Sequence, residues 1–168
     1  MTEPNWITEA RKLIGVHEGV GNADNPIVVE LFKDAGHPEI VHDSTAWCAA
    51  FIGAVLNRSG HKGNGSLWAL DYAKWGQPLL TIALGAVVTK KRFNKKGQLV
   101  GGHVFFAVGW DKNNVFGLGG NQSDTVSIVK YPRSVITAFR WPSDAALPGN
   151  QPETLAEGGG IDAAGSES

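Results

Sequence analysis

Hydrophobic and polar positions change period about halfway along this chain. Trp6, Ile7, Ala10, Leu13 and Ile14 recur at three- and four-residue spacing, which predicts one apolar helix face. Pro4 near its start and Gly15 after it fit as boundaries. Asn25-Pro26 opens a second helical pattern, with Ile27, Val28, Leu31, Phe32 and Ala35 on one side and Gly36 behind it. After the polar stretch HPEIVHDST, an apolar run over 47–56 predicts a buried helix that stops before Ser59-Gly60. A fourth, short helix is predicted over 66–75. The later segments 86–88, 104–110, 114–118, 125–129 and 135–141 read as strands, with turn signals between them such as 111–114. Helices first and strands later predict an α+β domain over 1–142: N-terminal helices packed on a mainly antiparallel sheet of about five to six strands. From 143 the composition turns to Pro, Gly, Ala, Glu and Ser, which predicts a flexible, disordered tail over 143–168.

Composition narrows the function classes. The 168 residues are 42% hydrophobic and 18% charged, enough to bury the core of one domain. A net charge of −1 argues against a general nucleic-acid binder, and no apolar run approaches the ~18 residues of a membrane span. The first residues, MTEPNWITEARK, lack the basic stretch and apolar core of a secretory signal. The expectation is synthesis in the cytoplasm, with any action elsewhere requiring release or delivery. A single cysteine excludes an internal disulfide. The 22 glycines are about twice the usual share, and six tryptophans either fill a core or line a groove for sugar or peptide.

Three places carry candidate chemistry. Cys48 sits at the start of the third predicted helix. A free cysteine is often a small buried hydrophobe, but backbone N–H groups and the helix dipole at that position are expected to lower its pKa and favour a nucleophilic thiolate. His103 begins an apolar strand in GGHVFFAVG. It is either an idle strand-edge residue or a rigidly held general base, and the glycines before it permit close approach of a substrate. Cysteine and histidine are far apart in sequence, so only the fold can join them. Asn121 and Gln122 follow Gly119-Gly120. They read as turn chemistry, or as an amide that orients His103, fixes its tautomer and keeps Nε2 toward the thiol.

The ordered set WCAAF, SLWALDYAKWGQPL, GAVV, GGHVFFAVG, LGGNQSDTVSIVKYP and FRWP resembles a bacterial and phage family of small papain-like cysteine hydrolases. These are related to NlpC-like peptidases and to CHAP (cysteine, histidine-dependent amidohydrolase/peptidase) domains. The opening WITEARKLIGVHEGVGNADNP is similar too, so the likeness spans about Trp6 to Pro142. The resemblance implies a papain-like fold and hydrolysis of a peptidoglycan amide, at N-acetylmuramoyl-L-alanine or within the stem peptide or cross-bridge. Cys48 then matches the nucleophile, His103 the general base and Asn121 the third member, with Gln122 the runner-up. Two positions depart from the pattern. Gly119 stands where many CHAP domains have glutamate, and Phe105 stands where relatives often have a small residue, which is expected to narrow the groove or to change substrate preference.

The implied mechanism runs through a thioester acyl-enzyme and needs no metal or cofactor. Endolysin-like lysis with holin-assisted release, a secreted antibacterial effector with an immunity protein, and a phage-particle component all suit such a chain, which is expected to be a monomer. Competing readings are an acyltransferase or transglutaminase-like enzyme using Cys48 and His103, and a non-catalytic wall-binding module. Among other residues, His17, Glu18, His37, His42 and Asp43 match no zinc-binding pattern. Asp43, or else Ser44 or Thr45, is expected to cap the third helix; the alternative for Asp43 is to line the cleft. Glu18 and Asn25 touch substrate or serve structure. Trp47 is either core or groove wall, and Trp68, Tyr72 and Trp75 recur at helical spacing, which favours packing but leaves Trp75 as a stacking surface for substrate. The run KKRFNKK over 90–96 is expected to tip a hairpin, as a solvated loop or as a steering patch for an anionic wall or membrane.

Overall fold

The helix that begins with the cysteine is the one the rest packs around. In α3, Cys48–Arg58, every residue through Leu56 is buried. No polar side chain interrupts the sequence CAAFIGAVL, and its small residues let neighbours approach closely. The computed structural model describes residues 3–21 and 23–157 and the backbone of 161–162. Two helices precede α3. In α2, Pro26–Asp34, the predicted start is confirmed: Asn25 accepts a hydrogen bond from the Ile27 N–H at 2.9 Å, and proline fills the first turn. The first helix, α1, Asn5–Arg11, stops short of the periodic pattern, and Ile14 is exposed. The predicted helix over 66–75 is a 3-10 helix, Ala69–Lys74, confined between Gly65 and Gly76, both at positive φ.

The second half forms strands β1, Gln77–Pro78; β2, Val87–Phe93; β3, Leu99–Trp110; β4, Asn114–Gln122; β5, Thr125–Pro132; β6, Ile136–Trp141; and β7, Ile161–Asp162. Six of them make an antiparallel open sheet in the order β1-β6-β2-β3-β4-β5, and β7 pairs parallel with β5 at the edge. The α+β class and the antiparallel sheet therefore follow the pattern. The β2–β3 hairpin extends well past its predicted ends, pairing Lys91 with Gly102 and Phe93 with Leu99. The side chains buried in that extension, Thr89, Lys90 and His103, are polar and the rest are exposed or half-buried, so hydrophobic periodicity gives no sign of it.

The two faces of the sheet are packed differently. Phe106 of β3 lies 6.0 Å from Phe51 of α3, ring to ring. Gly120 of β4 meets the same helix, because a Cβ there would sit 2.7 Å from Phe51 Cβ and 2.9 Å from the Trp47 ring. On the opposite face Phe105 stacks on Tyr131 of β5, with centroids 4.7 Å apart. Gly117 makes room for it, since a Cβ there would come within 2.4 Å of Phe105. Phe105 is fully buried, so it narrows no groove, contrary to expectation.

The segment 143–157, predicted to be disordered, is docked. Leu155 and Trp110 exchange two backbone hydrogen bonds of 2.8 Å, and Trp110 Nε1 donates to the Pro152 carbonyl. Glu157 takes a two-pronged ion pair from Arg11 at 2.6 and 2.9 Å. Polar composition suggested a free tail, but a single apolar anchor and a bidentate charge pair are enough to hold it. Residues 158–160 and 163–168 of the predicted tail lie outside the described residues.

Gly120→Ala is expected to cost about 1–3 kcal/mol in urea unfolding, because α3 has no slack against β4 at that point. Gly149→Ala, which meets nothing within 4 Å, is expected to change stability by less than about 0.5 kcal/mol.

Candidate active site

The turn between β4 and β5 sets the site. Asn121, Ser123 and Asp124 all adopt positive φ, of 57°, 53° and 60°. Asn and Asp tolerate this left-handed region better than most residues. The strand register jumps from Gly119 to Gln122, and the Gln122 side chain turns inward and is buried. Its Nε2 donates to the carbonyls of Ser127 at 2.7 Å and Gly117 at 3.2 Å. Its Oε1 must then be the atom that faces the other way, where it accepts from the Tyr131 hydroxyl at 2.9 Å and pairs with His103 Nε2 at 3.0 Å. A carboxamide oxygen only accepts, so His103 Nε2 carries the proton. In the neutral ring Nδ1 is then the basic atom.

This corrects two expectations. The residue that orients His103 is Gln122, not Asn121, and the nitrogen it holds is Nε2, not Nδ1. Asn121 is 1% exposed, and its Oδ1 has no hydrogen-bond partner. Sequence could not separate the two amides. The deciding feature is the left-handed backbone of Asn121, which points consecutive side chains in directions a regular strand would not. Tyr131, the second donor to Gln122, carried no signal in the sequence.

Cys48 is the first residue of α3, which has Trp47 as its N-cap and no side-chain cap. Helix α3 packs on β3 here, and the backbone N–H groups of Val104, the residue after His103, of Ala49 and of Cys48 itself favour the thiolate. Ladder pairs between β3 and β4 begin only at Phe106 with Leu118, so β3 has no β4 ladder partner at Val104. The fold thus brings the cysteine to the His103–Val104 step. Among the described residues no hydrogen bond joins the thiol to the imidazole. His103 leaves β3 on the face it shares with Phe105, at 5.8 Å ring to ring.

The thiol is 4% exposed, and burial pushes its pKa above the ordinary range. The three backbone N–H groups and the Arg92 charge act in the opposite direction without overcoming it. The expected lowering at a helix start is therefore reversed: desolvation of the charged form outweighs the N–H groups.

Asp43, Trp47 and Asn25 hold the structure together. Asp43 caps no helix. Its Oδ2 accepts from the N–H groups of Gly19 at 2.6 Å and Asn25 at 2.7 Å, tying down the loop after α1. Trp47 is fully buried and is core, not groove wall; its Nε1 donates to Glu18 at 2.8 Å. Burial raises the Glu18 pKa, the Trp47 bond opposes that, and nearby Asp124 and Asp43 add to the rise. Trp75 is half-buried, packs edge-on to Tyr72 at 5.6 Å and donates to the Lys62 carbonyl. Asn25 serves the α2 cap. Among the described residues no group of three or more His, Cys, Asp or Glu side chains is placed to hold a metal ion, and no helix is long and apolar enough to cross a membrane. Searches of family models, of curated proteins and of solved structures return no match to this chain.

Two outcomes follow from the thiol. Iodoacetamide should label Cys48 in the native protein at least about tenfold more slowly at pH 8 than in urea, because both burial and the raised pKa withhold the thiolate. The unfolded thiol ionises first as pH rises through about 8.5, while the folded one keeps its proton. Native stability from this group is therefore complete below that pH and falls above it. Urea titrations at pH 7 and 9.5 should show a smaller alkaline loss for Cys48→Ala than for wild type. The part that persists includes Tyr72, whose hydroxyl is also raised by burial.

Proposed function

We propose that the chain is a cysteine-dependent hydrolase that cleaves an amide bond of peptidoglycan. The observation that carries this reading is the tautomer that Gln122 imposes on His103, which leaves Nδ1 as a base on the strand that the Cys48 helix packs against. An orienting amide behind an imidazole is the arrangement that nucleophilic catalysis requires. Peptidoglycan as the substrate rests on the ordered motif resemblance, which supports a papain-like chain acting at the lactyl amide or within the stem peptide or cross-bridge.

In this mechanism the Cys48 thiol gives its proton to His103 Nδ1, and the thiolate attacks the scissile carbonyl. The imidazolium returns that proton to the leaving amine as the carbon–nitrogen bond breaks, which leaves a thioester. Water then gives a proton to Nδ1 and attacks the thioester, releasing the acid and restoring the thiol. Backbone N–H at the start of α3 stabilises the oxyanion. Thiol and imidazole must close on each other for the first step, and catalytic hydrogen bonds commonly tighten only with substrate bound. On this reading the chain acts on the wall after release or delivery from the cytoplasm.

A non-catalytic wall-binding module is favoured by one observation, the burial of a protonated thiol. Digestion of purified peptidoglycan with mass spectrometry of the fragments separates the two. Wild type should release fragments, Cys48→Ala none, and His103→Ala at least about 100-fold fewer. Gln122→Ala should lower kcat by about 100-fold, whereas Asn121→Ala should lower it by less than about tenfold. Release by Cys48→Ala at the wild-type rate, or none by wild type on several wall types, overturns the hydrolase reading. A retained but inactive wall pull-down would then favour the binding module.

A further inference from the structure

The β2–β3 hairpin joins two surface features that the proposed chemistry does not use. Lys90, Lys91, Arg92, Lys95 and Lys96 are five of the 15 basic residues, and no acidic residue lies between Val87 and Val104, although the whole chain has a net charge of −1. Asn94 closes the turn, its Oδ1 accepting from the N–H groups of Lys96 and Gln98 at 2.9 Å. Lys90 lies over the Tyr131 ring and is buried, whereas Lys91, Lys95 and Lys96 are exposed. Beside them Phe93 pairs with Leu99 across the hairpin, at 50% and 54% exposure, and Val100 is 46% exposed.

We propose that this hairpin tip docks on an anionic lipid bilayer. A soluble polyanion would engage the lysines but offer nothing to Phe93, Leu99 and Val100. A bilayer interface takes both, because surface binding grows with buried apolar area and with attraction to anionic headgroups. Wall polymers and nucleic acid match the charge alone. The hairpin geometry also suits docking, because its long pairing needs no core of its own and the tip meets a surface without disturbing the sheet. Docking there does not depend on Cys48.

The test is sedimentation of the full chain with vesicles of phosphatidylglycerol and phosphatidylcholine, beside vesicles of phosphatidylcholine alone. Each basic residue near an anionic surface contributes on the order of fivefold in partitioning. The mixed vesicles are therefore expected to bind at least about 100-fold more tightly than the neutral ones, and the triple variant Lys91→Glu, Lys95→Glu, Lys96→Glu is expected to lose that preference. Phe93→Ser with Leu99→Ser should weaken vesicle binding by about tenfold while leaving binding to soluble poly(glycerol phosphate) unchanged. All these positions are exposed, and circular dichroism confirms that the variants keep the fold. Equal binding to the two vesicle types overturns the proposal. Unchanged vesicle binding by the Phe93→Ser, Leu99→Ser variant also overturns it, and assigns the hairpin to soluble polyanions.

Discussion

The side-chain amide of Gln122 has its nitrogen committed to two backbone carbonyls, and its oxygen is thereby turned toward Tyr131 and His103. The proposed chemistry leans on that orientation. It settles which imidazole nitrogen holds the proton, and it does so with buried groups for which a wrong choice is costly. Losing Gln122 would remove the one acceptor that the buried Tyr131 hydroxyl and His103 Nε2 share. The turn that delivers Gln122 is itself strained, with three non-glycine residues at positive φ. Strand β4, the left-handed turn and the stacked Phe105–Tyr131 pair thus act together to hold one ring.

Burial has opposite consequences for the two reactive groups. For His103 it strengthens the hydrogen bond to Gln122, because competing water is absent. For Cys48 it disfavours the thiolate, even at a helix start with three N–H groups close by. A thiol that is held protonated at rest and ionised only when a base closes on it is protected against oxidation and alkylation. On the proposed mechanism, reactivity depends on whatever brings Sγ and Nδ1 together.

Periodicity made most of the architecture legible. The α2 start was readable from Asn25-Pro26, and the burial of α3 from an unbroken apolar run. Pairing that buries no apolar side chain was not readable, as in the outer part of the long β2–β3 hairpin, nor was the docking of 143–157, which depends on Leu155, Glu157 and partners far away in sequence. At the site, residue types pointed to Cys48 and His103, and the fold brings both to one step of β3. The choice between Asn121 and Gln122 was beyond sequence, because it turns on a backbone dihedral. So was the thiol pKa, because helix position is visible in sequence while desolvation is not.

The most direct measurement is the tautomer of His103, read by long-range proton–nitrogen NMR correlation on labelled protein at neutral pH. The hydrogen-bond network requires a proton on Nε2, with a slowly exchanging Nε2–H that disappears in Gln122→Ala. A ring protonated at Nδ1, or an Nε2–H unaffected by loss of Gln122, would contradict the arrangement on which the proposed chemistry stands.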